Sequence, residues 1–133
     1  MSGEQANRIV AAARDLVGVA FRLQGRSRTS GIDCVGLAAL ALAEAGHRGA
    51  APRGYGLRSG DAALARDWLE QAGLQAVEQG QAGDLALVRP GPLQLHLMIL
   101  VPGGHVHAHA GLGRVVETPG PSPWPIIGHW RVI

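Results

Sequence analysis

Residues 33–37 read Asp33-Cys34-Val35-Gly36-Leu37, and they stand where an irregular stretch rich in Gly, Ser and Arg changes into a long apolar run. Asp33 is a good N-cap residue, so the pattern predicts a helix that begins at Cys34. A thiol in the first turn of a helix lies near the positive end of the helix dipole, which favours the nucleophilic thiolate. Cys34 is also the only cysteine among 133 residues. It is therefore a candidate nucleophile, although a lone cysteine is by itself more often a small buried apolar residue.

Helices are predicted in the first half of the chain. Apolar residues at helical spacing predict a first helix that ends at Gly18: Ile9, Val10, Ala13, Leu16 and Val17. The second helix is predicted over residues 34–45 and stops at Gly46, and Asp61 caps a third over residues 62–72. The stretch between them, residues 47–60, is rich in Gly and Arg and is predicted to form a surface loop.

Strands are predicted beyond Gly83, where short apolar runs alternate with Gly and Pro. The predicted strands cover residues 84–89, 95–101, 105–110, 114–118 and 126–133. Gly103-Gly104 is predicted to form a hairpin turn, and residues 119–125 a longer connection. Helices followed by strands imply one α+β domain over residues 1–133, in which the second helix packs against a mostly antiparallel sheet of about five strands.

Composition excludes several classes of function. The net charge of +2 is too small to indicate nucleic-acid binding, and an aromatic content of 4% offers few base-stacking side chains. The sequence contains no uninterrupted apolar stretch of about 18 residues, so we expect no membrane-spanning helix. The first 17 residues lack a basic region and carry charges among their apolar residues, unlike a secretory signal. We therefore expect a soluble domain that is made in the cytoplasm without a signal peptide and needs no disulfide framework.

Four of the six histidines follow Cys34 at a distance, between positions 96 and 109. A cysteine with a distant downstream histidine is the layout expected of a cysteine hydrolase. His96 is the only ionisable side chain in the apolar stretch 93–101. An unpaired imidazole there would cost about 1 to 3 kcal/mol. His96 is therefore either a hydrogen-bonded core residue or a general base.

His105, His107 and His109 alternate with small apolar residues, so all three project from one face of the next strand. That face could meet His96, but strand alternation alone does not choose among the three. Imidazoles on one face can also share a zinc ion. Successive same-side residues lie about 6.5 to 7 Å apart, however, which is a long reach for three ligands, and we expect no metal site.

Four motifs in order resemble the NlpC-type cell-wall cysteine peptidases. They are residues 31–37 (Gly-Ile-Asp-Cys-Val-Gly-Leu), 83–87 (Gly-Asp-Leu-Ala-Leu), 96–100 (His-Leu-Met-Ile-Leu) and 106–108 (Val-His-Ala). The resemblance covers nearly the whole chain. It implies a papain-like α+β fold, with the cysteine at the start of a helix and two polar partners on adjacent strands.

The chain looks closest to a short, signal-less branch of that family found in phage tails and gene transfer agents. Members of this branch share something like Gln-Gly-Arg at residues 24–26 and Arg-Val-Val-Glu at residues 114–117. The resemblance thus implies a component of a phage tail or tail-like particle that has tail proteins as partners and meets the periplasmic cell wall at infection.

The resemblance also implies roles for individual residues. Cys34 would be the nucleophile, His96 the base that takes its proton, and His107 the group that holds the imidazole of His96. His109 shares the face of His107 and is the rival for that orienting role.

Substrate contacts are expected from Asp33, Phe21 and Arg26. Many family members carry Ser after the cysteine and Tyr at position 21, and both are associated with holding the amino end of the substrate. Val35 and Phe21 offer no such groups, which leaves Asp33 as the polar candidate. Arg26 belongs to a basic stretch that would favour the thiolate and attract carboxylates of the substrate.

The implied activity is hydrolysis of an amide bond in the peptide stem of bacterial peptidoglycan, through a thioester on Cys34 and without a cofactor. Two alternatives stay open at this point. One is a tail structural protein that keeps the fold without turnover, and the other is a histidine-rich metal-binding protein.

Overall fold

The computed structural model describes residues 1–47 and 60–133. Three helices and eight strands lie within these residues. They are α1 (Gly3–Asp15), β1 (Arg26–Ser27), β2 (Gly31–Ile32), α2 (Cys34–Glu44), α3 (Ala62–Gln71), β3 (Leu74–Val77), β4 (Leu85–Gly91), β5 (Gln94–Val101), β6 (Gly104–His109), β7 (Arg114–Pro119) and β8 (Ile126–Val132). The predicted loop at 47–60 lies outside the described residues apart from its two ends.

Each helix begins at a side-chain cap. Oδ1 of Asp33 accepts the backbone N–H of Gly36 at 2.9 Å, and Asp61 accepts that of Leu64 at 3.1 Å, as the sequence predicts. Ser2 caps α1 in the same way. The apolar pattern that runs on to Val17 overstates the length of α1, which ends at Asp15.

The predicted antiparallel sheet is confirmed, but it has six strands instead of about five. Its order is β3-β8-β4-β5-β6-β7, and every neighbouring pair is antiparallel. The strand that the sequence prediction missed is β3, an edge strand of four residues of which only Leu74 is fully buried. The separate two-stranded sheet of β1 and β2 was also missed, because strands of two residues are too short to show a period.

The turn between β5 and β6 consists of Pro102-Gly103, one residue earlier than predicted. Gly103 has φ +80°, which suits glycine. Gly104 instead pairs with Val101 as the first residue of β6. A Cβ on Gly104 would collide with the carbonyl oxygen of Thr118, so glycine is required there by close strand packing.

The two faces of the sheet are covered differently. The main core lies between the sheet and helices α1 and α2, and it includes alternate residues of β5 such as Leu97 and Ile99. The opposite face carries a smaller cluster that includes Met98, against which Trp124 packs from the connection before β8. None of the helices within the described ranges combines the length and apolar character that a membrane crossing demands.

The segment after α1 extends the sheet beyond β7. Gly18 donates its N–H to the carbonyl of Val115 at 2.9 Å, and Phe21 donates to the carbonyl of Gly113 at 2.8 Å. The Arg14 guanidinium of α1 contacts both carboxylate oxygens of Glu117, at 3.1 and 3.3 Å. This edge therefore ties α1 to β7 and places Phe21 near the start of α2.

Candidate active site

The candidate site lies where β5 and β6 part. Their register runs only from Ile99 opposite Val106 to Val101 opposite Gly104, next to the turn. Further from the turn, residues 94–98 and 107–109 of these two fully described strands do not pair with each other. Helix α2 packs against both strands, and its first residue, Cys34, faces this opening together with β5 and β6.

An open cleft of about 400 Å³ lies over the opening. It brings together the three residues to which the resemblance assigns catalytic roles, Cys34, His96 and His107. The complete lining consists of Phe21, Leu23, Asp33, Cys34, Pro90, Gln94, Leu95, His96, His107, Ala108, His109, Ala110, Gly111 and Trp124.

His96 and His107 are hydrogen bonded through their rings. Nε2 of His96 lies 3.1 Å from Nδ1 of His107, and the two rings meet edge to face at a centroid distance of 5.3 Å. His109 is held differently, because its Nδ1 accepts the N–H of Leu112 at 3.0 Å within its own turn. All three rings line the same cleft, but His96 is hydrogen bonded to His107 and not to His109.

The ring contact constrains the tautomers of the pair. If Nε2 of His96 carries the proton and donates it to His107, then Nδ1 is the one lone pair left on the His96 ring. This is the arrangement that a base needs, since the lone pair is free for a proton and the other nitrogen is anchored.

Both rings are neutral over the physiological pH range. Burial, together with the neighbouring His107, His109 and His105, lowers the pKa of His96 to about 3. Burial likewise lowers the pKa of His107 to about 4, with His105 and His109 acting in the same direction. A neutral pair can share a single proton without placing two positive charges in one apolar site.

The pKa of Cys34 moves opposite to the direction expected from its helix. Cys34 is only partly exposed, and burial raises the pKa of its thiol to about 11. The backbone N–H of Leu97 and those at the start of α2 favour the thiolate, but desolvation and the Asp33 carboxylate outweigh them. The expectation of a resting thiolate is therefore wrong, and the site holds a neutral thiol beside neutral imidazoles.

Asp33 and Arg26 form an ion pair beneath the cleft. Nη1 of Arg26 lies 2.9 Å from Oδ1 of Asp33, and Oδ2 accepts the N–H of Gln24 at 2.8 Å. The backbones approach closely here, because a Cβ on Gly36 would collide with the carbonyl oxygen of Gly25. Asp33 lines the cleft, whereas Arg26 is not part of the lining.

Two aromatic residues complete the walls. Phe21 lines the cleft, and its contact with a substrate stays a prediction. Trp124 meets the rings of His96 and His107 edge to face, at 5.8 and 5.6 Å. No spacing links position 124 to the histidines, so only the fold could reveal this contact.

The three histidines of β6 form a row on one face, as predicted. Ring centroids lie 5.4 Å apart for His105 and His107, and 5.6 Å apart for His107 and His109. His105 is 1% exposed, and its Nε2 has no hydrogen-bond partner among the described residues. Within residues 1–47 and 60–133, no group of three or more His, Cys, Asp or Glu side chains is placed to hold a metal ion.

Comparison with solved structures identifies the architecture. NlpC1 from Trichomonas vaginalis is 17% identical with a TM-score of 0.73, over 98% of this chain and 46% of that one. The peptidoglycan hydrolase RipB from Mycobacterium tuberculosis is 20% identical with a TM-score of 0.67, and the match covers 98% of this chain and 65% of the RipB chain. The NlpC/p60 domain of the peptidoglycan hydrolase SagA is 26% identical with a TM-score of 0.60, and the match covers 86% of this chain and 88% of the SagA domain.

The chain spans about half the length of NlpC1 and less than two thirds of RipB. No protein-family model matches the sequence. A search of curated proteins finds no match either. The similarity thus lies in the three-dimensional arrangement, and it shows that the chain has the papain-like α+β fold of NlpC/P60 domains.

Proposed function

We propose that this chain is a cysteine peptidase of the NlpC/P60 family that hydrolyses an amide bond in the peptide stem of bacterial peptidoglycan. The observation that carries the proposal is the 3.1 Å contact between His96 and His107 in the cleft that also holds Cys34. Two of the solved structures with this fold are peptidoglycan hydrolases, which supports the substrate class.

In the first half of the reaction, Sγ of Cys34 attacks the carbonyl carbon while its proton moves to Nδ1 of His96. The carbonyl oxygen becomes an oxyanion, to which the backbone N–H of Cys34 donates from the first turn of α2. His107 accepts the Nε2–H of His96 and so orients the ring and stabilises the imidazolium. Burial strengthens the attraction between the new oxyanion and the imidazolium, because their charges are poorly screened.

In the second half, the C–N bond breaks and His96 gives its proton to the departing amine, which leaves a thioester on Cys34. Water then loses a proton to His96 and attacks the thioester carbonyl. The C–S bond breaks, the new carboxyl end departs, and the thiol regains its proton from His96. The cycle needs neither a cofactor nor a metal ion to balance.

Digestion of purified peptidoglycan tests the proposal. We expect new amine and carboxyl ends by mass spectrometry with the wild type and with the control His129→Ala, which changes a histidine of β8 outside the cleft lining. Cys34→Ala should release none. Acid quenching should also trap an acyl adduct on the wild type. An inactive wild type, or an active Cys34→Ala, would refute the proposal and leave a structural role.

We further propose that the protein acts from a phage tail or tail-like particle, with tail proteins as partners, and meets the periplasmic wall from there. The support is the resemblance at residues 24–26 and 114–117. The ion pairs of Arg26 with Asp33 and of Glu117 with Arg14 give both motifs a local role in the fold as well. Peptide mass spectrometry on purified particles should detect the chain, and finding it only in the cell fraction would contradict this location.

A further inference from the structure

Among the described residues, Asp33 is the one carboxylate that lines the cleft. Both of its oxygens are already used within the chain. Oδ1 accepts the N–H of Gly36 and a guanidinium N–H of Arg26, each at 2.9 Å, and Oδ2 accepts the N–H of Gln24 at 2.8 Å. Asp33 is only 4% exposed. Its negative charge is paired with the Arg26 guanidinium, and its side chain caps the start of α2.

The remaining lining offers no second carboxylate to a substrate. Apart from Asp33, Cys34 and the three histidines, it consists of apolar side chains, glycine and the amide of Gln94. A peptide ammonium entering this cleft would lose water and find no free carboxylate among the described residues. Leaving a polar group unpaired in such a site is unfavourable, and more so when the group is charged.

We infer that the cleft selects stem peptides whose amino end is already acylated, as it is where the stem is still joined to the glycan, over stems with a free amino terminus. This inference rests on the proposed function and names the substrate class of the same site. Arg26 determines this specificity for the acylated amino end. It does not touch the substrate, and it acts by occupying the carboxylate that would otherwise bind an ammonium.

Two synthetic stem peptides that differ only in an acetyl group on the amino end test the inference. We expect wild-type kcat/KM to be about ten-fold or more higher for the acetylated peptide, which is the effect of one unpaired polar group. Arg26→Gln should reduce this ratio several-fold by freeing Asp33 for the ammonium. Arg26→Lys, which keeps a cation, and Arg22→Gln, which changes an exposed neighbouring arginine, should keep the wild-type ratio.

The possible outcomes separate the inference from the function. Hydrolysis of both peptides at equal rates, or faster hydrolysis of the free amine, would overturn the inference and leave the peptidase activity standing. Hydrolysis of neither peptide by the wild type would overturn both. If Arg26→Gln does not fold, the wild-type ratio and that of Arg26→Lys still decide the question.

Discussion

Lowering the pH from 7 to 5 should destabilise the folded protein through His96 and His107. An unfolded histidine has a pKa near 6.5 and gains a proton over this interval. The folded rings, with pKa values of about 3 and about 4, remain neutral. A group whose pKa is lowered by folding stabilises the protein above its unfolded pKa, and this contribution is lost as the pH falls towards the folded value. The loss is about 2 kcal/mol for each ring, or about 4 kcal/mol for the pair.

Such a loss is a large part of the 5 to 15 kcal/mol that typically stabilises a domain. Urea unfolding followed by tryptophan fluorescence at pH 7, 6 and 5 would measure it. The double variant His96→Gln/His107→Gln keeps hydrogen-bonding groups without titrating, so its free energy of unfolding should fall by about 4 kcal/mol less between pH 7 and 5. Equal losses in both proteins would refute the conclusion that the folded rings are buried and neutral.

Three further predictions concern single side chains. The alkylation rate of Cys34 should rise with pH towards its pKa of about 11, and a midpoint at or below the ordinary thiol value near 8.5 would contradict burial as the dominant effect. His107→Phe should lower kcat/KM about 100-fold or more, whereas His109→Phe should retain most of the activity; equal effects would refute the assigned pairing. Arg131→Met should reduce the free energy of unfolding by about 3 to 5 kcal/mol, because it leaves the fully buried Asp84 carboxylate without its ion-pair partner at 2.8 Å. A reduction below about 1 kcal/mol would show that the Asp84 charge is solvated.

The features that the sequence predicted well are local ones. Asp33 and Asp61 cap helices α2 and α3 through their own side chains, so the helix starts follow from a few adjacent residues. The long strands were equally readable, because β5 ends in an apolar run of five residues and β6 alternates over its six residues. Strand β3 was not, since its place is set by pairing with β8 across more than fifty residues and not by its own sequence.

The choice between His107 and His109 required the tertiary structure. Both project from the same face of β6, so alternation treats them alike. Two features of the structure distinguish them. The pairing of β5 with β6 ends before His107, and Nδ1 of His109 accepts the N–H of Leu112 in the turn after β6. The contact of Trp124 with both catalytic candidates was unpredictable for the same reason, because it depends on where the connection before β8 crosses the sheet.

The protonation of Cys34 shows why a helix start alone does not make a thiolate. The backbone N–H groups at the start of α2 do favour the charged form, as the dipole argument requires. The same residues that form this helix start also bury the thiol and place the Asp33 carboxylate beside it, and both of these raise the pKa. A neutral thiol next to a neutral imidazole reacts slowly with small electrophiles. In the proposed reaction, nucleophilicity therefore has to develop within the bound complex, where we expect proton transfer to His96 and attack on the amide to occur together.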